Sequence, residues 1–365
     1  MADSFVYSQP VKIWFGPGKL DALPEVFESL NVKSAVVVAD RFIAEKAKEL
    51  QRSIPAIRAI YTGVEPNPQL SGAAEVAELC RQCSADAVLG IGGGSVMDTT
   101  KFASAIANGG ESPEAYYEGK TPFPSSHLTV ITVPTTAGTG SEVTQVSVMN
   151  RGTEKKTINH PVFMPKAAIV DPVLSSTVPP YMTMITGLDA MAHALEGFWS
   201  RNHQPITDHI AKEAVRLVRE NLETAYRNGS DMEARSNMAL AALLGGLSFA
   251  LPKTAGCHAC SYPLSEDCHL PHGEACAFTL DSFVRINRSG RLDDLAKYAG
   301  FADALRMAEY IRSMKKLANL KTRLSDLGGP DVQKLASDSA AHPLMRNNPV
   351  EMDEKALAAM FEALA

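Results

Sequence analysis

The chain has 365 residues, more than one hydrophobic core usually serves, so two domains are expected. A net charge of −6, with 45% hydrophobic and 21% charged residues, is typical of a folded globular protein and disfavours a nucleic-acid partner. The longest weakly polar run, residues 238–252, is shorter than the ~20 residues that span a bilayer, so no membrane partner is expected.

Short apolar runs alternate with helical patterns through the first half of the chain. The predicted strands are residues 35–39, 87–91, 128–133 and 168–170. Helical patterns follow the first two of these strands, at residues 41–51 and up to residue 107. Strands that are apolar on both faces, with helices between them, are typical of a parallel sheet covered on both sides. We therefore predict an α/β domain over residues 1–178, with ligands at the carboxyl ends of its strands.

The pattern changes after Pro179 and Pro180, where strand-like runs nearly vanish. Apolar residues now recur three and four positions apart, which predicts helices. The predicted helices are residues 208–224, 232–249, 303–318 and 352–364. We therefore predict an all-helical second domain over residues 179–365.

Gly92, Gly93, Gly94 and Ser95 lie between a predicted strand and a predicted helix. Glycines let a ligand approach the backbone closely, and the free N–H groups of a helix N-terminus attract an anion such as a pyrophosphate. Ser95 is predicted as the N-cap, with Asp98 as the acidic partner of a capping box. A plain capped turn is equally consistent, because the run has neither the dinucleotide fingerprint nor the lysine of a P-loop.

Asp40 directly follows the first predicted strand. Its carboxylate can accept hydrogen bonds from ribose hydroxyls and would repel a 2′-phosphate, which favours NAD over NADP. The alternative is that Asp40 caps the next helix. The polar turn at residues 134–142 also follows a strand, and its hydroxyls can reach phosphate or amide groups, although alone it indicates only a loop.

Asp189 and His193 are four residues apart in a helix-forming segment, so both side chains lie on one helix face. A lone pair of this kind is more often a local hydrogen bond than a metal site. Further ligands elsewhere in the chain are needed before a metal centre is the better interpretation.

His258 and His272 supply two further imidazoles. Pro263 and Pro271 are expected to break a helix between them, so that the chain folds back and brings the two histidines together. One carboxylate with up to three imidazoles suits Fe²⁺ or Zn²⁺. His269 is a competing ligand, although a surface loop position is the better interpretation for it.

The six cysteines are too few for a disulfide scaffold in a chain of this length. Two Cys-x-x-Cys pairs, beginning at Cys80 and Cys257, fall in different predicted domains, and the first lies in a predicted helix. Buried thiols are therefore predicted rather than a zinc ribbon. No basic and apolar leader opens the chain, so we expect no signal peptide and a reducing, cytoplasmic location.

Taken in order, these segments resemble the iron-containing (group III) alcohol dehydrogenase family over almost the whole chain. The matching motifs are FGPG at 15–18, GVEPNP at 63–68, GGGSVMDTTK at 92–101, PTTAGTGSEVT at 134–144, DP at 171–172, GLDAMAHALE at 187–196 and PHG at 271–273. Each motif is weak alone, and their joint order and spacing are highly specific.

The resemblance implies an N-terminal Rossmann-like domain and an all-α C-terminal domain, a two-domain fold shared with dehydroquinate synthase, and frequent homodimers. It implies metal ligands at Asp189, His193, His258 and His272. It implies cofactor contacts at Asp40, Gly92, Gly93, Gly94, Ser95, Asp98, Thr135, Thr136, Thr139, Leu174 and one of Lys155 or Lys156.

Many family members have a second histidine near the substrate, four residues after the third ligand, where this chain has Tyr262. Tyr262 either joins a proton relay or only shapes the substrate pocket, and we favour the pocket wall. Phe249 is a second wall candidate by family position, with core packing as its alternative. The complete ligand set separates the chain from maleylacetate reductases and glycerol dehydrogenases.

We therefore predict a metal-dependent, NAD(H)-linked alcohol dehydrogenase or aldehyde reductase for a small alcohol or aldehyde, with Fe²⁺ favoured over Zn²⁺. The alternative is a lyase or cyclase resembling dehydroquinate synthase. Such an enzyme needs several basic residues for an anionic sugar, and only Lys155, Lys156 and Lys253 are candidates. A catalytically inactive binding module is a third hypothesis, which four intact ligand positions disfavour.

Overall fold

The structure, a computed structural model, describes residues 4–152 and 154–364. Its internal contacts divide the chain into two units. The α/β unit comprises Ser8–Thr136 and Ser141–Ser175. The helical unit comprises the chain from Ser176 onward, together with residues 4–7 and the short segment Ala137–Gly140.

A parallel sheet forms the centre of the α/β unit. Its strands are β1 (Lys12–Phe15), β2 (Ala35–Ala39), β3 (Ile57–Tyr61), β4 (Ala87–Gly92), β5 (Thr129–Pro134) and β8 (Ala167–Val170), while β6 (Val146–Arg151) and β7 (Glu154–Asn159) form a separate antiparallel hairpin. In space the order is β1-β8-β5-β4-β2-β3, and every neighbouring pair is parallel. The predicted parallel α/β domain is confirmed.

The sheet is buried on both faces, as its continuous apolar strands predict. Its covering helices are α1 (Leu23–Ser29), α2 (Ala44–Ser53), α3 (Leu70–Gln82) and α4 (Gly94–Ile106), with the short α5 (Pro113–Glu118) beside them. Val36 and Val38 pack with α3 and α4 on one face, and Val37 packs with α1 and α2 on the other. Because side chains alternate along a strand, each strand contributes residues to two hydrophobic cores, one on each face of the sheet.

The helical unit contains the remaining helices. They are α6 (Pro180–Trp199), α7 (Pro205–Arg227), α8 (Met232–Phe249), α9 (Gly256–Glu266), α10 (His272–Ile286), α11 (Gly290–Tyr298), α12 (Ala304–Leu317), α13 (Val332–Ala341) and α14 (Glu354–Glu362). From Thr183 to Trp199, α6 is buried at every residue except Thr186. A helix buried all round forms the centre of its bundle. No described helix is long and apolar enough to cross a membrane.

Two local predictions about caps and helix breaks are wrong. Gly93, in an extended conformation, is the N-cap of α4, so Ser95 lies inside the first turn and does not cap the helix. Asp98 does not complete a capping box, because its carboxylate accepts hydrogen bonds from Ser141 Oγ at 3.1 Å and from the Val148 N–H at 3.2 Å. Pro263 does not break its helix, since α9 continues to Glu266.

The chain instead reverses in the turn at residues 267–271, where His269 adopts a left-handed φ of 57°. Pro271 is the N-cap of α10. The helix start also differs from the prediction for α2, which begins at Ala44 because residues 41–43 form a turn held by the Asp40 carboxylate.

Lys101 on α4 is a fully buried cation that holds the polar turn after β5. Its Nζ donates to the carbonyl of Ser141 at 2.6 Å, to the hydroxyl of Ser141 at 2.7 Å and to the carbonyl of Val146 at 2.9 Å. Burial lowers the pKa of Lys101 to about 8, and burial raises the pKa of Asp98 to about 6 and of Glu142 to about 7. These three groups form one coupled polar cluster inside an apolar unit.

Lys101→Met should destabilise the protein, because it leaves two buried carboxyl groups and two carbonyls without their cation. We expect the free energy of unfolding to fall by about 3 kcal/mol, measured by urea denaturation. The control is Lys48→Met, which removes an exposed pair with Glu45 and should change stability by less than ~1 kcal/mol. Equal losses in the two variants would contradict the role given to Lys101.

Candidate active site

The structure brings together the four predicted metal ligands within the helical unit. Asp189 and His193 lie one turn apart on α6, His258 lies in the first turn of α9, and His272 is the first residue of α10. Asp189 Oδ1 lies 3.6 Å from His258 Nε2, 3.8 Å from His193 Nδ1 and 3.9 Å from His272 Nε2. The Nε2 atoms of His193 and His258 are 3.0 Å apart.

The electrostatics of this cluster favour a cation. Asp189 Oδ1 is buried and has no hydrogen-bond donor among the residues that the structure describes. Burial opposes ionisation of Asp189, but the imidazoles of His193, His272 and His258 outweigh it and lower the pKa of the carboxyl group. Burial lowers the pKa of His193 to about 4, so this ring is neutral and can donate a lone pair. The His272 side chain is 38% exposed, which leaves access to one side of the cluster.

Two residues outside the predicted ligand set, Cys276 and Glu196, also contact this cluster. Cys276 lies one turn after His272 on α10, with Sγ 3.8 Å from His272 Nε2. Ligand atoms of Asp189, His258, His272 and Cys276 all lie within 4.8 Å of one another. Glu196 is fully buried on α6 and contacts the His258 ring. Their spacings, four residues from His272 and three from His193, are the signals that could have identified them.

Aromatic rings surround the cluster. The Phe249 ring at the end of α8 is half-buried and stacks on the His193 ring, with centroids 4.3 Å apart and an interplanar angle of 17°. Tyr262, one turn after His258, stacks on His342 at 4.1 Å. His342 was not predicted from the sequence, and burial together with the nearby His258 lowers its pKa to about 4. Of the two predicted wall residues, Phe249 therefore contacts a predicted metal ligand directly. Tyr262 contacts His342, whose pKa is affected by the ligand His258.

In the α/β unit, the predicted cofactor residues meet at one edge of the sheet. Ala39 pairs with Ile91 and Gly92 pairs with Pro134, so the carboxyl ends of β2, β4 and β5 lie side by side. Asp40, the Gly92–Gly94 turn and Thr135 follow these three strands directly. The strand order reverses between β2 and β4, which is where ligands bind in open α/β sheets.

The glycine turn brings the backbone close to its surroundings. A Cβ on Gly92 would stand 2.5 Å from Val96 Cγ2, so a larger residue does not fit there. The Thr135 N–H donates to the Gly92 carbonyl at 3.0 Å, and Thr136 Oγ1 lies near Gly93. This turn opens α4, whose first N–H groups have no partner inside the helix.

Several of the predicted cofactor residues also have partners within the α/β unit. Asp40 Oδ1 accepts from the backbone N–H groups of residues 42 and 43, which is the capping alternative. Lys156 Nζ donates to the Tyr117 carbonyl at 2.7 Å, whereas Lys155 is electrostatically coupled to Asp98. Leu174 is half-buried against the apolar core of the sheet.

Thr139 belongs by its contacts to the helical unit, apart from Thr135 and Thr136. Its neighbour Gly140 has a φ of 61°, and a Cβ there would stand 2.3 Å from the Gly246 Cα on α8. This close approach holds the Ala137–Gly140 segment on the helical unit.

The chain belongs to the iron-containing alcohol dehydrogenase family. Residues 10–172 match the family described as iron-containing alcohol dehydrogenase, and residues 183–365 match the C-terminal domain of the same family. The predictions of the family, the two-part fold and an oxidoreductase acting on alcohols or aldehydes are confirmed. Membership favours a dehydrogenase over the lyase alternative.

Named relatives cover nearly the whole chain. A long-chain-alcohol dehydrogenase of Geobacillus thermodenitrificans is 32% identical over 95% of this chain and 93% of its own, and a sulfoacetaldehyde reductase of Bilophila wadsworthia is 30% identical over 99% of each. The crystal structure of sulfoacetaldehyde reductase from Bifidobacterium kashiwanohense in complex with NAD⁺ is 39% identical, with a TM-score of 0.96 over 100% of this chain and 99% of that one. A 1,3-propanediol oxidoreductase structure is 28% identical, with a TM-score of 0.92 over 100% of each chain.

Tyr262→Phe should change kcat little and mainly alter KM, because the ring that stacks on His342 is kept and only the hydroxyl is lost. Steady-state kcat and KM for a short aldehyde with NADH measure this. Tyr298→Phe, at an exposed tyrosine, is the control. A fall in kcat of about a hundredfold or more, the scale of a lost general acid, would make Tyr262 a proton donor rather than a wall.

Proposed function

We propose that this protein reduces a short-chain aldehyde that carries an anionic group, using NADH and a divalent metal ion. The observation that carries the reaction is the buried Asp189 oxygen, which lies among three imidazoles and has no donor within the described part of the chain. Sulfoacetaldehyde is the first substrate to test, because two relatives reduce it by name.

Asp189, His193, His258 and His272 would hold the metal ion, with Fe²⁺ favoured and Zn²⁺ as the alternative. One carboxylate and three imidazoles suit either ion. The metal, when bound, supplies Lewis-acid polarisation of the substrate oxygen, and the nicotinamide supplies the hydride. The side chains of the protein position the ligands and the substrate. Phe249 holds the His193 ring by stacking, and Tyr262 would form a wall of the substrate pocket with His342.

The carboxyl edge of the sheet would hold the dinucleotide. The open N–H groups at the start of α4 suit a pyrophosphate, and the glycine turn leaves room for it. Asp40 keeps one carboxylate oxygen on its own turn and would present the other to the ribose, which disfavours a 2′-phosphate. Of the two lysines, Lys155 is the better candidate for the cofactor, since Lys156 is committed to the Tyr117 carbonyl.

Lys253 supports an anionic substrate. It follows α8 by one turn, and its backbone N–H donates to the Phe249 carbonyl at 2.7 Å, which places it next to the residue that covers His193. Its backbone has a left-handed φ of 70°. Burial lowers the pKa of this half-buried ammonium, whose Nζ donates to the Ala250 carbonyl at 2.9 Å. A desolvated cation of this kind is stabilised by an anion.

We also propose a cytoplasmic homodimer. The support is the family resemblance for the dimer, and for the location the free state of all six cysteines. Light scattering on the purified protein tests the dimer, since a single species of one chain's mass would reject it.

His272→Ala should lose bound metal, because it removes one of the four proposed ligands. After loading with Fe²⁺, Zn²⁺ or Co²⁺ and dialysis, elemental analysis should show at least a tenfold lower metal content than in wild type. His269→Ala, an exposed histidine three residues earlier, is the matched control and should keep its metal. Full occupancy in the His272 variant would remove it from the ligand set.

Lys253→Met should discriminate between charged and neutral substrates. We expect kcat/KM for sulfoacetaldehyde to fall at least tenfold, the scale of a lost charge-assisted hydrogen bond, and kcat/KM for propanal to change little. Lys297→Met, at an exposed lysine of α11, is the control. An equal loss for both aldehydes, or none for either, would reject the proposed anion contact.

A further inference from the structure

Glu196 is a buried carboxylate whose two oxygens are both engaged, although it is outside the predicted ligand set. It lies on α6, three residues after His193, and is 0% exposed. Its Oε1 accepts from the Cys257 N–H at 2.6 Å and from the His258 N–H at 3.3 Å. Its Oε2 forms a hydrogen bond with His258 Nδ1.

The first of these oxygens serves as the N-terminal cap of α9. Ala255 precedes the helix and has no side chain that can accept a hydrogen bond from the first turn. The open N–H groups of a helix start must find an acceptor when they are buried, and a negative charge is favoured there. Glu196 therefore binds α9 to α6 through the backbone.

The second oxygen determines the chemistry of His258. A carboxylate oxygen beside Nδ1 accepts the ring proton's hydrogen bond there, so a neutral His258 ring has its lone pair on Nε2. That Nε2 faces the cluster, 3.6 Å from Asp189 Oδ1 and 3.0 Å from His193 Nε2. We propose that Glu196 is the positioning residue that presents His258 to the metal through Nε2. This inference rests on the metal centre proposed above.

Glu196→Gln separates the two roles. The amide oxygen can still accept from the two N–H groups of α9, and the amide NH₂ then faces His258 Nδ1. That donor would move the ring proton to Nε2 and block the ligand position. The reverse orientation of the amide would set its NH₂ against two N–H donors and is disfavoured.

The metal-free protein is titrated with Co²⁺, and binding is followed by the visible absorption of the ion. The midpoint of thermal unfolding of the metal-free protein is measured in parallel. For Glu196→Gln we expect a 10- to 100-fold weaker Co²⁺ affinity with nearly the wild-type midpoint. Glu196→Ala should lower both. The control is Glu274→Gln, a buried carboxylate that accepts from Tyr181 and the Lys321 N–H, and its Co²⁺ affinity should be unchanged.

Wild-type affinity in Glu196→Gln would overturn the proposal and leave Glu196 as a helix cap only. Equal losses of midpoint and affinity in the Gln and Ala variants would also overturn it, because the effect would then be one of folding. Failure of the wild-type protein to bind Co²⁺ would reject the metal centre itself, and with it this inference.

A second measurement needs no substitution at Glu196. In zinc-loaded protein labelled with ¹⁵N-histidine, the His258 ring should carry its proton on Nδ1 and zinc on Nε2. The signal is assigned by its absence in His258→Gln. The opposite arrangement would overturn the proposal even if Glu196 variants do not fold.

Discussion

A carboxylate at the centre of a helical bundle must be neutralised by its neighbours, and Asp189 is in that position on α6. Nearly every residue of that helix from Thr183 to Trp199 is buried. Three imidazoles from three helices converge on one of its oxygens, and none donates a hydrogen bond to it. The helices α6, α9 and α10 therefore meet around a carboxylate oxygen that has no hydrogen-bond donor among the described residues.

The residues around Asp189 show how the fold holds such a site in place. Glu196 ties the start of α9 to α6, so His258 cannot move independently of Asp189. Phe249 restricts the His193 ring from the end of α8. A metal site needs ligands fixed by their own contacts, and here those contacts are a cap, a stacking ring and close helix packing.

In the α/β unit, a buried lysine holds a loop in place through hydrogen bonds. Lys101 on α4 donates hydrogen bonds to the backbone carbonyls of Ser141, in the turn after β5, and of Val146, at the start of β6. The buried Asp98 and Glu142 balance its charge, so the residues of the GGGSVMDTTK motif that follow the glycines serve the architecture of the turn. The motif thus combines an open helix start with an internal polar anchor.

Much of this was determined by the sequence. Continuous Val, Ile and Ala runs specify strands buried on both faces, and these hold for β2, β4, β5 and β8, because a two-sided core requires apolar residues at every position. The spacing of four between Asp189 and His193 places both on one face of any helix. The family motifs together specified the fold, the reaction class and the four residues that converge at the metal cluster.

The tertiary structure decided what depends on partners distant in the chain. The sequence predicts Asp98 as a capping residue. In the structure, its carboxylate instead accepts hydrogen bonds from the Ser141 hydroxyl, in the turn after β5, and from the Val148 N–H in β6. Only their spacing from His193 and His272 marks Glu196 and Cys276 in the sequence, and nothing local marks His342. The roles of these residues come from helices that meet only in the folded bundle. Pro263 could not end α9, since packing on both sides outweighs one missing backbone donor. Local propensity acts over a few residues, whereas buried polar groups take whichever partner the fold brings within reach.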